Sequence, residues 1–91
     1  MAKRIALPSK LDTAAAAALR DDLIAAEGTD IVFDAGQVEQ IGALCLETIL
    51  SAAALWKAEG LTVTLDSPSA QLTEDLSRFG LTPATLLEHA A

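Results

Sequence analysis

Apolar residues recur along this chain in two patterns, one typical of strands and one typical of helices. Short runs with strand-like spacing occur at residues 5–7, 31–33 and 61–65. Between and after these runs, apolar residues recur at helical spacing. The order strand, helix, strand, helix, strand, helix, helix predicts an α/β fold with right-handed crossovers. Because the run at 31–33 does not alternate, it favours a strand covered on both faces. We therefore expect helices packed against a small mixed or parallel sheet of about four strands.

Capping residues mark the ends of the first two helices. Asp12 is expected to cap the first helix, because its carboxylate can accept from N–H groups two or three residues further on. Positions 15, 19, 23 and 26 form the apolar stripe of this helix, and Gly28 is expected to end it in a left-handed conformation. A long central helix is predicted to begin near Gly42 and to end by Gly60.

Two hydroxyl–proline pairs predict the starts of the last two helices. Ser67 is expected to cap the third helix, with Pro68 at its first position and Gly80 at its end. The inward stripe of that helix is predicted to be Leu72, Leu76 and Phe79. Thr82 followed by Pro83 predicts a short final helix.

The central helix is apolar on nearly every side. Its apolar members are Leu46, Ile49, Leu50, Ala52, Ala53, Ala54, Leu55 and Trp56. A small domain cannot bury every face of such a helix, so both core packing and docking of a partner protein remain open interpretations. For Trp56, packing at the end of the helix is favoured over a role as an interface anchor.

Composition and charge exclude several classes of function. The 91 residues fit one domain, residues 1–91, and 52% of them are hydrophobic but only 3% aromatic. The net charge is −7, with six Lys and Arg in total, so neither nucleic acid nor an anionic membrane surface is an expected partner. The longest nearly uncharged run, residues 41–56, is too short for a comfortable membrane span. With no secretory signal pattern at its start, the protein is expected to be cytoplasmic.

Candidate chemistry is sparse. The sequence offers no nucleophile–base pair, glycine-rich phosphate loop or metal-ligand spacing, so we expect no enzyme, no cofactor and no metal site. A single cysteine, Cys45, excludes an internal disulfide and a CxxC site. Asp34 follows a strand where catalytic carboxylates can lie, but a structural role in holding the next connector is favoured. His89 has no companion ligand and is assigned no role.

Several short segments, in this order and spacing, resemble the STAS domain, the module shared by sulfate transporters and anti-sigma-factor antagonists. The segments are Leu11-Asp12, Ile31-Val32-Phe33-Asp34 with Val38 and Ile41, Leu46 with Ile49-Leu50, Ala58-Glu59-Gly60, and Phe79-Gly80-Leu81. The resemblance covers nearly the whole chain and implies a STAS-like fold. Family members often carry a further strand before the first one here, so the resemblance implies a shortened sheet. Its open edge leaves a homodimer as an alternative.

The chain departs from the family at the phosphorylation site. Antagonist members have an apolar residue, then Asp, Ser, a phosphorylatable Ser or Thr, and Gly-Leu. When Ile41 is placed at the apolar position, Gly42 stands at the Asp. Ala43 then replaces the first Ser, Leu44 the phosphoacceptor and Cys45 the Gly. Phosphorylation would add about 1.5–2 negative charges at the helix start, and a leucine cannot carry that switch.

The resemblance implies a non-catalytic regulatory module of bacterial signalling that binds a protein partner. That partner would be a kinase-like anti-sigma factor or another signalling protein, for example one associated with chemotaxis. The expected contact residues are Gln40, Ile41, Gly42, Ala43, Leu44, Cys45 and Glu47. One alternative is an antagonist switched by phosphate on another residue, Thr48 or Ser51. A second is an accessory subunit of a lipid-transport complex, and a third is an enzyme or small-ligand-binding domain.

Individual residues near the start of the central helix have competing interpretations. Leu44 is either buried core or an exposed apolar contact. Burial is favoured for Cys45, although a thiol at a helix N-terminus would have a lowered pKa and could sense redox state. Thr48 and Ser51 are expected to bond back to carbonyls of the preceding turn.

Overall fold

The structure, a computed structural model, describes residues 2–88. The prediction for His89 lies outside this part of the chain. The elements in chain order are β1 (Lys3–Ala6), β2 (Lys10–Leu11), α1 (Thr13–Ala25), β3 (Ile31–Asp34), β4 (Gln40–Ile41), α2 (Ala43–Ala58), β5 (Val63–Asp66), α3 (Ala70–Arg78) and α4 (Pro83–Glu88).

The main sheet has three parallel strands in the order β1-β3-β5. Ile5 pairs with Phe33, which in turn pairs with Leu65. Because β3 is central, its side chains Ile31 and Phe33 are buried completely, but Val32 on the opposite face is only half-buried. The expected cover on both faces is therefore complete on one face only. The α/β fold with a parallel sheet and packed helices is thus confirmed.

A second, two-stranded parallel ladder joins β2 to β4, and it was not predicted. Lys10 pairs with Gln40, and Leu11 pairs with Ile41. The Gly42 N–H then donates to the Leu11 carbonyl at 2.9 Å. This ladder brings the described strands to five, one more than expected, and it lies just before both α1 and α2.

The predicted caps of α1 and α2 are confirmed. The Asp12 carboxylate accepts from the Ala15 N–H at 3.0 Å. Gly28, just after α1, has a φ of 83°. After α2, the Gly60 N–H donates to the Lys57 carbonyl, and the next N–H donates to the Trp56 carbonyl. With a φ of 77°, Gly60 therefore ends α2 in the left-handed conformation that favours glycine.

Three predictions for α3 are wrong. The helix begins at Ala70, so Pro68 does not occupy its first position. Ser69, not Ser67, caps the helix, accepting from the Leu72 N–H at 3.0 Å, while Ser67 adopts a φ of 52° before the helix. Phe79 is 45% exposed, because it follows the last helical residue and the chain turns at Gly80. That turn places the next residue, a leucine, in the core instead.

The core lies between the sheet and the helices. Its largest fully buried side chains are Phe33, Leu11, Ile31, Ile49, Leu72, Leu76, Leu86, Val38 and Cys45. Trp56 is also buried, and its indole N–H donates to the Thr29 carbonyl at 2.7 Å. The expectation that Trp56 packs at the end of its helix is confirmed.

Candidate functional site: the start of α2 and the α1–α2 groove

The connector from β3 to β4 is held by buried residues and a carboxylate. The side chains of Ala35 and Val38 are buried in the core, and they anchor a connector whose other residues are exposed. The Asp34 carboxylate accepts from the Gly36 N–H at 3.2 Å. The expected structural role of Asp34 is confirmed.

Arg4 lies between two carboxylates at the end of the sheet and contacts both. Asp34 and Asp66 are register partners on neighbouring strands, and the Arg4 guanidinium lies 3.4 Å from the first and 2.6 Å from the second. The hydrogen bond from Arg4 holds the pKa of Asp66 below its ordinary value, and the same bond raises the pKa of Arg4. These carboxylates are therefore engaged in a structural ion pair.

A buried carboxylate on α3 fixes the entry to α2, and it was not among the predicted site residues. Asp75 is only 7% exposed and accepts from the Ile41 N–H at 3.1 Å. Arg78 lies 3.7 Å from its second oxygen. In the sequence, Asp75 lies between Leu72 and Leu76 on the apolar stripe of an amphipathic helix. A charged residue in such a position needs a partner, and this was the available signal.

The start of α2 presents both backbone and side chains to solvent. Gly42 is the N-cap and offers no side-chain hydrogen bond to the first turn. Gln40, Ala43 and Glu47 are exposed. Leu44 is 46% exposed, so the interpretation of Leu44 as an exposed apolar residue is confirmed.

Two of the predicted contact residues lie beneath this surface. The side chains of Ile41 and Cys45 are buried, so neither is available for direct contact with a partner. The Cys45 thiol donates to the Asp12 carbonyl at 3.2 Å. Burial, with a smaller contribution from the Asp12 charge, raises the pKa of this thiol. The idea of a lowered pKa at the helix N-terminus is therefore wrong.

The nearest hydroxyl on α2 is engaged with the helix backbone. The Thr48 hydroxyl donates to the Leu44 carbonyl at 2.8 Å, which confirms the expected bond to the preceding turn. Ser51 is exposed one turn further along the helix, and within residues 2–88 its hydroxyl makes no bond to the preceding turn, so the same expectation for Ser51 is wrong.

An open apolar groove of about 450 Å³ runs between α1 and α2. It extends from Leu44 to Trp56 on α2 and from Arg20 to Glu27 at the end of α1. Its apolar lining includes Ile24, which is 61% exposed, and Leu55, which is 50% exposed. The start of α2 and this groove thus form one continuous surface.

Residues 2–88 lack two other kinds of feature. Within these residues, no group of three or more His, Cys, Asp or Glu side chains is arranged to hold a metal ion. In the same range, no helix has both the length and the apolar character needed to cross a membrane.

The fold and this surface define a small α/β domain with a parallel sheet and an exposed start of its central helix. A family model described as "Mlab, STAS domain" matches residues 2–88, and the chain belongs to this STAS family. STAS domains generally mediate protein interactions without catalysis, so the family indicates a regulatory or signalling module. No curated protein and no solved structure gave a significant match.

Proposed function

We propose that this domain is a non-catalytic regulatory module of bacterial signalling that binds a protein partner through the start of α2. The contact surface, called here the α2 tip, consists of Gln40, Gly42, Ala43, Leu44 and Glu47. The observation that carries the proposal is the exposure of Leu44 at the first turn of α2. The next large aliphatic residues of the helix, Leu46 and Ile49, are both buried. Full burial of an exposed leucine side chain is worth about 1.5–3 kcal/mol, and because Leu44 is 46% exposed, covering it would stabilise a complex by roughly half of that.

The backbone beneath the α2 tip supports binding without rearrangement. The Ile41 N–H is held by Asp75, and the Gly42 N–H is held by the Leu11 carbonyl. Cys45 adds a third bond, to the Asp12 carbonyl. In this proposal the buried members of the predicted set, Ile41 and Cys45, position the exposed ones. A surface fixed in advance loses little conformational entropy on binding.

We further propose that this binding is not switched by phosphorylation at the usual position of the family. Ala43 and Leu44 stand at the two hydroxyl positions of the family pattern, and neither accepts a phosphate. Thr48 is the next candidate, but its hydroxyl is bonded to the Leu44 carbonyl. Ser51 lies further from the α2 tip.

The α2 tip is tested by capture experiments with matched variants. The chain and its Leu44→Asp variant are immobilised. Proteins captured from a lysate of the cells in which the protein naturally occurs are then quantified by mass spectrometry. Phe79→Asp is the control, because Phe79 is equally exposed but lies outside the α2 tip and the groove. We expect Leu44→Asp to reduce recovery of the partner by about tenfold or more, since it places a charge in the contact, and Phe79→Asp to leave it unchanged.

Equal recovery with wild type and a folded Leu44→Asp variant would show that the wrong surface was chosen. The phosphorylation proposal has its own test, incubation with ATP and candidate anti-sigma kinases followed by intact-mass measurement. A phosphate on Thr48 or Ser51 would establish the phospho-switched antagonist instead.

An accessory subunit of a lipid-transport complex is the second candidate function. It comes from the wider resemblance to STAS domains and uses the same surface, so the identity of the captured protein separates the two. A transporter subunit recovered in a Leu44-dependent manner would replace the signalling assignment and leave the α2 tip in place.

A further inference from the structure

The groove between α1 and α2 concentrates the exposed apolar surface of the domain. Among the side chains that the structure describes, four large hydrophobic ones are exposed, and three of these, Ile24, Leu44 and Leu55, line the groove. Clustered apolar residues on a small domain mark an interaction site more strongly than scattered ones. Since Leu44 also belongs to the α2 tip, an inference about the groove rests on the proposed function.

The length of the groove matches about three turns of a helix. Leu44 and Leu55 lie about three turns apart on α2, roughly 16 Å at 1.5 Å per residue. An amphipathic helix bound along such a groove presents apolar side chains at i, i+3 or i+4, and i+7. Its apolar stripe would therefore meet Leu44, Leu55 and, on the α1 side, Ile24.

The charged residues of this face indicate that its binding partner is basic. Asp21, Glu27 and Glu47 line the groove and the hollow beside it, against one cation, Arg20. The chain as a whole carries a net charge of −7. A second copy of the domain would bring the same acidic side chains and the same net charge to the contact, which is unfavourable. A basic segment is complementary both to the acidic side chains of this face and to the net negative charge of the chain.

We propose that the α1–α2 groove binds an amphipathic helix of the partner protein, with its apolar stripe flanked by Lys and Arg. The apolar stripe covers Ile24, Leu44 and Leu55, while the flanking cations face Glu27 and Glu47. The α2 tip is then one end of a longer contact surface.

Two matched synthetic peptides test the proposal with the full chain. Each has about 18 residues, or roughly 27 Å of helix, and the same leucine stripe. Lysines flank the stripe in one peptide, and glutamates replace every lysine in the other. Binding is measured by fluorescence anisotropy at low and high salt and mapped by amide chemical shifts. The protein variants are the double variant Ile24→Ser, Leu55→Ser and the control Phe79→Ser.

We expect the basic peptide to bind about tenfold or more tightly than the acidic one at low salt, with the difference shrinking as salt screens the charges. The double variant should weaken binding of the basic peptide by about tenfold, and Phe79→Ser should not. Equal binding of the two peptides, binding unaffected by the double variant, or no binding at all would overturn the proposal. A concentration-dependent dimer that the double variant abolishes would assign the groove to a second copy and would also overturn it.

The captured partner separates this inference from the proposed function. Recovery that Leu44→Asp abolishes but the double variant preserves would leave the α2 tip as the binding site and reject the groove helix. Loss of recovery with both variants, and retention with Phe79→Ser, supports the groove helix.

Discussion

Asp75 offers the sharpest test of how the α2 tip is held. Its carboxylate is buried on α3 and accepts from the Ile41 N–H across a sequence separation of 34 residues. Replacing Asp75 by alanine leaves that N–H without its partner. Replacing it by asparagine keeps an oxygen acceptor but removes the negative charge.

The magnitudes of the two changes differ. A buried donor left unsatisfied costs about 1–3 kcal/mol, so we expect Asp75→Ala to lower the free energy of unfolding by about 2 kcal/mol. At about 4–8 °C per kcal/mol for a domain of this size, the Tm should fall by about 8–16 °C. Asp75→Asn should cost about 1 kcal/mol or less, because the acceptor for the Ile41 N–H is kept and the losses are the charge assistance of the bond and the ion pair with the largely exposed Arg78.

Urea denaturation measures these differences, and hydrogen exchange at the Ile41 amide locates them. Glu74→Ala is the matched control, since Glu74 is the exposed neighbour of Asp75 on the same helix. Exchange at Ile41 should accelerate in Asp75→Ala and stay unchanged in the control. If Asp75→Ala lost less than about 0.5 kcal/mol, or asparagine cost as much as alanine, the hydrogen bond would not be what holds β4.

Two further predictions concern titrating groups. Because Arg4 lowers the pKa of Asp66 below its ordinary 3.8, this pair contributes stability above that pH and loses it as the pH falls through the lowered pKa. The stability difference between wild type and Arg4→Gln should thus be largest above pH 3.8 and shrink below it, and an NMR titration that finds the same Asp66 pKa in both would contradict this. Cys45 should react with a disulfide reagent at neutral pH about tenfold or more slowly in the folded chain than in urea, because it is buried and its pKa is raised. Complete reaction of the folded chain at the unfolded rate would refute its burial.

The sequence predicts the elements whose signals are local. The apolar run of β3, the Asp12 cap and the glycine after α2 all act within a few residues, and each was placed correctly. The ladder of β2 and β4 has no such signal. Its strands have two residues each, and pairing joins segments 30 residues apart. Only the folded chain brings them together.

The start of α3 shows how a long-range contact overrides a local signal. Ser67 before Pro68 has the usual spacing for a cap, and Ser69 offers the same side chain two residues later. Ser69 is selected because its hydroxyl donates to the Val38 carbonyl and its N–H donates to the Ala35 carbonyl. Both partners lie on the connector between β3 and β4.

The exposed start of α2 was predictable from the sequence, but the details of its surface were not. The absence of a hydroxyl around Leu44 is read directly from the sequence, while the exposure of Leu44 depends on how α2 packs against α1. Ile24 and Leu55 belong to different helices, so their meeting in one groove needed the tertiary structure. The partner of Asp75 is a backbone N–H, and because every residue except proline has one, the sequence does not identify it.

The short parallel ladder has one more consequence. It ends where α1 and α2 begin, and backbone hydrogen bonds, not side chains of the groove, set the distance between those two starting points. Under the proposed function, substitution of surface residues along the helices would therefore alter which sequences are recognised, while the distance between the two helix starts stays constant. A domain built this way can acquire new binding preferences through a few surface changes, without redesign of its interior.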